Sequence, residues 1–499
     1  MLYVKIGSYE RSFNGKLESY FTQFRTETIG TNHMITTPFG LKRMIYADWT
    51  ASGRLYRPIE EKITIELGPN VANTHTDVNY SGLFITESYK EAKKIIKKHV
   101  NAGPKDVLLS SGTGMTDVVN KLQRMLGLRV PEKVKKGLTM EEKDRPVIFI
   151  THMEHHSNHI SWEETIADVV VLKSTKDGMI DVDDLKAMLK KYENRKLKIG
   201  SFTACSNVTG IQTPYHKLAA IMHQHGGLCF VDFAASAPYV PINMHPANQE
   251  ERLDAIFFSP HKFLGGPGSS GILVFDSDLY QNTIPDHPGG GTVTYTNPWG
   301  GRLYLKDVEE REDGGTPGFL QTIRAALAIR LKEKMGTQQI LAREKEQLDI
   351  LLPALDKVSH LHVFESQQVD RLGIISFYVE GVHYNLFTKL LNDRFGIQVR
   401  GGCSCAGTYG HYLLNIDKET SKQMGDTIAN GDLSSKPGWV RLSVHPIMTN
   451  EEMYAIIYAI EQTVANIEDW AKDYMYDSKK NTFYHRKVKN GYGMKGLNF

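Results

Sequence analysis

Between residues 105 and 275 the chain repeats one unit: a short apolar, β-branched run, a polar or glycine-rich loop, then a stretch of helical period. Strands in series with helices between them are joined by crossovers and lie side by side, so this order points to α/β architecture. The strand-like runs are DVLLSS at 106–111, PVIFITH at 146–152, VVVL at 169–172, KIGSFTA at 198–204, GLCFVDF at 227–233, AIFFS at 255–259 and GILVF at 271–275. Several are apolar without alternation, the pattern of strands covered by helices on both faces. Helical periods fall at 115–126, 182–191 and 214–225, the last closed by Gly226-Gly227. The charged stretch 131–145 has no such period and reads as a surface excursion.

A long amphipathic helix is expected over about 323–334, and a second compositional unit begins near 345, mixing strand-like IISFYV (374–379) with helix-like EEMYAIIYAIEQTVANI (451–467). The expected division is a large domain over 46–344 and a smaller α+β domain built from 1–45 and 345–499. Lys and Arg number 59 against 57 Asp and Glu, a net charge of +2, which argues against an electrostatic binder of nucleic acid or membrane and for a small ligand. No stretch approaches the roughly 18 apolar residues of a membrane helix. The first thirty residues hold Glu10 and Glu18 and no apolar core of a leader, so a cytoplasmic protein is expected. Four cysteines make no disulfide framework and are expected as free thiols. Six basic residues without an acid over 479–495 read as a solvated tail, with a docking tail as the alternative.

Open parallel sheets bind ligands beyond the carboxyl ends of their strands, so the loops there carry the chemistry. Gly112-Thr113-Gly114 follows the first strand and precedes a helix: a phosphate cradle, or simply a turn. MEHHSN follows the second, with His155, His156 and Asn158, and His152 and His159 beside it. Spacings of three and four among these histidines would suit zinc on a helix, but no Cys or carboxylate set completes a site, and no metal is expected. Asn207 ends the fourth strand; its match to a glycosylation sequon is taken as accidental. Asp232 ends GLCFVDF, where it either caps a helix or is a buried carboxylate in need of a cation. SPHKF then places Ser259, His261 and Lys262 after another strand, and a lysine desolvated there makes imines. An imine-forming Lys, an Asp for a pyridinium nitrogen, and hydroxyl and backbone donors for a phosphate together suit pyridoxal 5'-phosphate.

The ordered series YADWTASG (46–53), NTH (73–75), SGTG (111–114), MEHHSN (153–158), SNVTG (206–210), VDFAAS (231–236), SPHKF (259–263), GGGT (289–292), GGTP (314–317), RGGCSC (400–405) and VRLSV (440–444) resembles the class V aminotransferase fold, in its cysteine desulfurase and selenocysteine lyase branch, group II form. The resemblance implies a pyridoxal phosphate-dependent transferase of fold type I: a mostly parallel sheet with helices on both faces, plus a smaller α+β domain. It also implies a homodimer with shared active sites. It makes Lys262 the lysine that carries the cofactor, Asp232 the partner of the pyridine nitrogen and His155 the stacked ring. Thr113, Gly114, Ser259 and His261 take phosphate-binding positions, Thr316 reaches the phosphate of the neighbouring subunit, and Asn207 lies near cofactor and substrate. Arg441, with Arg400, His75 and Asn207, falls at the substrate, and Cys405 matches the nucleophile of an Arg-x-Gly-x-x-Cys pattern with Arg400 and Gly402.

Two departures stand out. Ala235 replaces the Gln that family members place three residues after the Asp, and 36 positions separate Cys405 from Arg441, so that an extra segment, 407–437, could cover the site or dock a partner. Cys403 reads as a bystander thiol, with a Cys-x-Cys redox or metal pair as the alternative. The expected reaction is removal of sulfur from L-cysteine through a persulfide on Cys405, giving alanine, with a sulfur-acceptor protein as a possible partner. The alternatives are selenocysteine lysis, transamination, epimerisation or β-elimination on a small amino acid, and a catalytically silent scaffold.

Overall fold

The seven apolar runs join in one sheet in the computed structural model, which describes residues 15–74, 76–368 and 370–487. His75 and the part of the basic run beyond Lys487 lie outside the described residues. In chain order the strands are β1 (Asp106–Ser111), β2 (Val147–Ile150), β3 (Asp168–Val171), β4 (Lys198–Thr203), β5 (Leu228–Asp232), β6 (Ala255–Phe258) and β7 (Gly271–Asp276), and their order across the sheet is β1-β7-β6-β5-β4-β2-β3. β7 runs antiparallel to both of its neighbours and the other four pairings are parallel. β1 is therefore parallel to β6, and the carboxyl ends of six strands share one edge.

Successive residues of each strand feed opposite sides of the sheet. Ile272 and Val274 of β7 pack in one apolar cluster, while Leu273 and Phe275 pack in another. The first cluster is covered by α2 (Tyr80–His99), α4 (Val182–Lys191), α5 (Tyr215–Gln224) and α6 (Phe319–Met335), and the second by α3 (Met115–Met125). This two-sided cover is why the strands read as unbroken apolar runs, and each fully buried Ile or Phe in them contributes about 1.5–3 kcal/mol. The 131–145 excursion is exposed for most of its length, with an α-helical turn at Glu132–Lys135 and a 3-10 turn at Glu142–Asp144.

The compositional change near 345 falls inside α7 (Thr337–Leu355), one continuous helix. Beyond it, β8 (Leu361–Val363), β9 (Ile374–Val379), β10 (Arg400–Gly402) and β11 (Trp439–Ser443) form an antiparallel sheet in the order β8-β9-β11-β10. The amino-terminal segment joins this part of the chain. Helix α1 (Lys16–Glu27) packs on α7, and its Arg25 meets Glu452 at 2.7 Å at the capping box that starts α10 (Asn450–Ala465). Ile45 and Tyr46 pair in parallel with Ile397 and Gln398, and the Ser443 N–H donates to the Ala47 carbonyl at 2.8 Å, which lays YADWTASG beside β11. The 407–437 segment folds as α8 (Gly407–Leu413) and α9 (Lys418–Ala429), bridged by His411, whose Nδ1 donates to the Gly407 carbonyl while Nε2 meets Ser421, both at 2.8 Å. Among the described residues no helix is long and apolar enough to cross a membrane.

Candidate active site

A pocket of about 650 Å³ opens at the shared carboxyl edge, lined by Gly112, Thr113, His261, Gly314 and Thr316 among others. Its floor is the turn from β1 into α3, whose amino-terminal end carries a partial positive charge. Gly112 needs its left-handed backbone (φ +54°) to make that turn, and a Cβ there would collide with Asp117. A Cβ on Gly114 would come within 3.0 Å of His261 and 3.2 Å of Ser259 Oγ, so only glycine leaves this cradle open. The Gly114 N–H has no partner among the described residues, whereas the Thr113 N–H is taken by Asp117 at 2.8 Å. Ser259 Oγ accepts the Met115 N–H at 2.8 Å and keeps its own proton for a ligand. His261 Nδ1 donates to the Thr113 carbonyl at 2.9 Å, which leaves Nε2 as its free ring nitrogen. Thr316 borders this pocket within its own chain and accepts a hydrogen bond from Asn73 at 3.2 Å. Two ion pairs fix its loop: Glu312 to Lys121 at 2.6 Å and Asp313 to Lys93 at 2.9 Å.

Asp232, at the end of β5, is buried, and its one hydrogen-bond donor among the described residues is the Ala234 N–H at 2.8 Å. Burial pushes its carboxyl up to about 6, against that hydrogen bond and the attraction of Lys262. The Lys262 side-chain amine has no hydrogen-bond or ion-pair partner among the described residues, while its backbone N–H donates to the Ser259 carbonyl at 3.1 Å. Burial lowers its ammonium to about 8, with Asp232 opposing and Arg441 and Arg400 assisting. His155 accepts the Ser157 N–H on Nδ1 at 3.1 Å, so its proton sits on Nε2, and burial followed by Lys262 lowers it to about 3. Asn207 donates to the Ser404 carbonyl at 2.7 Å and leaves a buried Oδ1 without a partner. A lysine amine without a partner, a buried carboxyl and an orphaned amide oxygen on one side, and a glycine cradle at a helix start on the other, fit a phosphorylated pyridinium. Ala235 is buried in the apolar core and offers no donor.

Arg400 and Arg441 stand directly opposite each other on β10 and β11. Between them lies Asp48, 2.9 Å from the Arg400 Nη2 and 2.8 Å from the Arg441 Nη2. Arg441 is buried, also donates to the Asn207 carbonyl at 3.2 Å, and has an unpaired Nε. Cys405 is exposed and lies within electrostatic reach of both guanidinium groups; burial lowers Arg441 below the ordinary arginine value, while at Arg400 burial is outweighed by the hydrogen bonds to Asp48, which raise it. Ser404 and Cys405 both hold left-handed backbone, at φ +52° and +56°, a conformation that side-chain-bearing residues adopt only under constraint. Cys403 is half-buried and packs on the apolar cluster of Met153, Val208 and Trp439.

Sequence reasoning missed Asp48 and the role of His156. Both lie inside quoted motifs, but nothing in spacing or periodicity says that an Asp near residue 48 meets arginines at 400 and 441. The His156 N–H donates to the Cys405 carbonyl, and its Nε2 accepts the Gly407 N–H at 2.8 Å. The histidines of this loop have separate partners: His152 donates to the Gly178 carbonyl and His159 meets Thr408. No group of three or more His, Cys, Asp and Glu side chains able to hold a metal ion occurs among the described residues.

The same arrangement of sheet and helices recurs in solved structures. The apo cysteine desulfurase of Thermococcus onnurineus NA1 superposes with a TM-score of 0.71 at 23% identity, covering 89% of this chain and 98% of that one. The cysteine desulfurase CsdA of Escherichia coli does so with a TM-score of 0.68 at 20% identity, again covering 89% and 98%. At these identities the likeness is one of fold. In sequence, the chain is 29% identical over 372 residues to a probable cysteine desulfurase of Halalkalibacterium halodurans, spanning 73% of this chain and 84% of that protein. It is 28% identical over 371 residues to a probable cysteine desulfurase of Staphylococcus epidermidis, with the same coverage. The family model for Aminotransferase class-V matches residues 45–456, which takes in the pocket, both arginines and Cys405, and the chain belongs to that family.

Proposed function

We propose that the chain is a pyridoxal phosphate-dependent cysteine desulfurase. The observation that carries this reading is Arg441, buried and within electrostatic reach both of Lys262, a lysine amine without a partner among the described residues, and of Cys405, an exposed thiol. Pyridoxal phosphate, when bound, supplies an aldehyde for amines and an electron sink for a carbanion. Gly114 N–H, Ser259, Thr113 and His261 would hold the phosphate, with Thr316 reaching the phosphate of the neighbouring subunit; Asp232 would keep the ring nitrogen protonated, and His155 would stack on the ring. Arg441 binds the substrate carboxylate beside Asn207, and Arg400 adds charge at that end. Lys262 Nζ removes the proton from the substrate Cα and returns protons to the carbon skeleton as it leaves. The Cys405 thiolate attacks the substrate sulfur; the bond from sulfur to Cβ breaks and a persulfide forms, so that one sulfur atom moves and L-cysteine leaves as alanine.

The reading brings with it a homodimer, a sulfur acceptor for the persulfide, a reducing compartment such as the cytoplasm, and the division into a 46–344 cofactor domain and a smaller domain of 1–45 with 345–499. Ala235 favours a second reading, in which the same pocket performs selenocysteine lysis, transamination, epimerisation or β-elimination. Two measurements test the assignment. Borohydride reduction of the yellow protein should fix a pyridoxyl group on the Lys262 peptide, and L-cysteine should yield equal amounts of alanine and transferable sulfur. A label on another lysine refutes the cofactor site, and keto acid or D-amino acid in place of alanine selects the second reading.

A further inference from the structure

The loop that carries His155 is anchored by a buried acidic side chain that the chemistry proposed above does not use. Glu154 is buried and has no ion-pair partner among the described residues, so it depends on hydrogen bonds. Its Oε1 accepts the Thr151 hydroxyl at 2.7 Å, the Thr203 N–H at 2.8 Å and the Thr151 N–H at 3.3 Å, and its Oε2 accepts the Asn158 amide at 2.8 Å. That amide is oriented by Trp162: the indole N–H can only donate, and it donates to Asn158 Oδ1 at 3.0 Å, which turns Nδ2 toward Glu154. Ser201 on β4 completes the network, its hydroxyl donating to Asn158 Oδ1 at 2.6 Å and its carbonyl accepting from Nδ2 at 3.2 Å. Thr151, Asn158, Trp162, Ser201 and Thr203 are all buried.

Thr151 follows β2 and Thr203 ends β4, so one side chain pins the start of the loop to two neighbouring strands. Thr203 stands opposite Asp232 in the parallel pairing of β4 with β5, and the Ala204 N–H donates to the Asp232 carbonyl at 2.8 Å. On the other side of His155, the Asn158 N–H closes the turn on the His155 carbonyl at 2.9 Å. His155 therefore projects, only partly buried, from between two buried and anchored residues. We infer that Glu154 is a positioning residue, which ties the His155 loop to β4 and so fixes the His155 ring relative to Asp232, one strand away. The inference rests on the reading above that His155 stacks on the cofactor ring while Asp232 meets its nitrogen. Ring contacts are sensitive to offset and tilt, so a loop released from β4 would lose the contact while the sheet stayed folded.

The experiment measures visible circular dichroism of the bound cofactor, kinetics on L-cysteine and thermal unfolding in the cofactor-loaded protein and its variants. Glu154→Gln keeps the shape but turns one oxygen into a donor, which must face the Asn158 amide or the Thr203 N–H. It should cut the dichroism per bound cofactor to about half or less and lower kcat roughly 10- to 100-fold. Glu154→Gln with Asn158→Asp sets donor against acceptor again and should recover part of both signals, the Ser201 carbonyl then lacking its donor. A purely structural role would lower the thermal transition and leave dichroism and kcat within about twofold, and that result overturns the inference. If Glu154→Gln fails to fold, Thr151→Val decides: without the hydroxyl, kcat should fall roughly 3- to 10-fold and the dichroism with it, while Thr151→Ser keeps both. Unchanged signals in Thr151→Val overturn the inference. His155→Ala separates the two readings. If it changes the dichroism and Glu154→Gln does not, the inference falls alone; if it leaves the dichroism unchanged, the stacking assignment falls with it. An unaltered protein that takes up no pyridoxal phosphate overturns the proposed function itself.

Discussion

His156 grips the backbone on either side of Cys405: its N–H donates to the Cys405 carbonyl at 2.7 Å and its Nε2 accepts the Gly407 N–H at 2.8 Å. With the Asn207 bond to the Ser404 carbonyl, these contacts hold two consecutive residues in left-handed backbone. His156 is thus a positioning residue for the thiol. His156→Ala should lower kcat for L-cysteine roughly 10- to 100-fold with the cofactor still bound. His156→Asn, whose side-chain oxygen can accept from Gly407, should recover part of that loss, and steady-state kinetics on the two variants checks both.

Burial lowers the Lys262 ammonium to about 8. Only the neutral amine adds to an aldehyde, so its reactive fraction rises with pH below that value and levels off above it. The rate at which cofactor-free protein captures pyridoxal phosphate should climb about tenfold per pH unit up to pH 8 and then flatten. Stopped-flow absorbance across that range measures it. A climb continuing toward the ordinary lysine value of 10.5 would mean the amine is not desolvated.

The ion pair of Lys121 and Glu312 is buried, with side chains 3% and 0% exposed. Glu312 also accepts from Tyr280 at 2.6 Å and from the Asp286 N–H at 3.1 Å. Lys121→Met leaves that carboxylate without a counter-ion and should cost about 3–5 kcal/mol, seen as an earlier thermal transition and weaker cofactor retention through the Thr316 loop. Lys121→Met with Glu312→Leu should recover much of the stability, because two apolar side chains leave no buried charge.

Arg441 binds Asp48 and the Asn207 carbonyl with separate nitrogens of one planar group. A lysine ammonium at that position cannot reproduce the fork. Arg441→Lys should keep the cofactor colour and raise KM for L-cysteine about 10- to 100-fold, with a smaller change in kcat. Equal KM values would remove Arg441 from the substrate site.

The strands inside the sheet were legible because they are buried on both faces, so the apolar run carries the signal on its own, whereas β3 at the edge is only half-buried; DVLLSS became β1 residue for residue. Local chemistry was legible for the same reason: the glycine turn at 112–114 follows β1, Asp232 ends β5, and Lys262 lies just beyond β6. Contacts set by tertiary pairing were not. Asp48 meets two arginines more than 350 positions away, a relationship carried by one parallel bridge to Ser443 and one antiparallel register. The boundary near 345 followed composition, while α7 runs through it, since helix continuity depends on local hydrogen bonding and composition on what each turn packs against. His156 read as one of several neighbouring histidines because the Cys405 loop it holds lies some 250 positions away.

The central claim is that Cys405 takes sulfur from L-cysteine. Its most direct measurement is peptide mass spectrometry of the cofactor-loaded protein after brief exposure to L-cysteine, with alkylation to trap persulfides. The account predicts one added sulfur atom on the Cys405 peptide, its complete loss in Cys405→Ser with cofactor still bound, and its persistence at a reduced rate in Cys403→Ser. Sulfur appearing on Cys403 would mean the nucleophile is misassigned, and full alanine production by Cys405→Ser and Cys403→Ser alike would contradict persulfide chemistry in this protein.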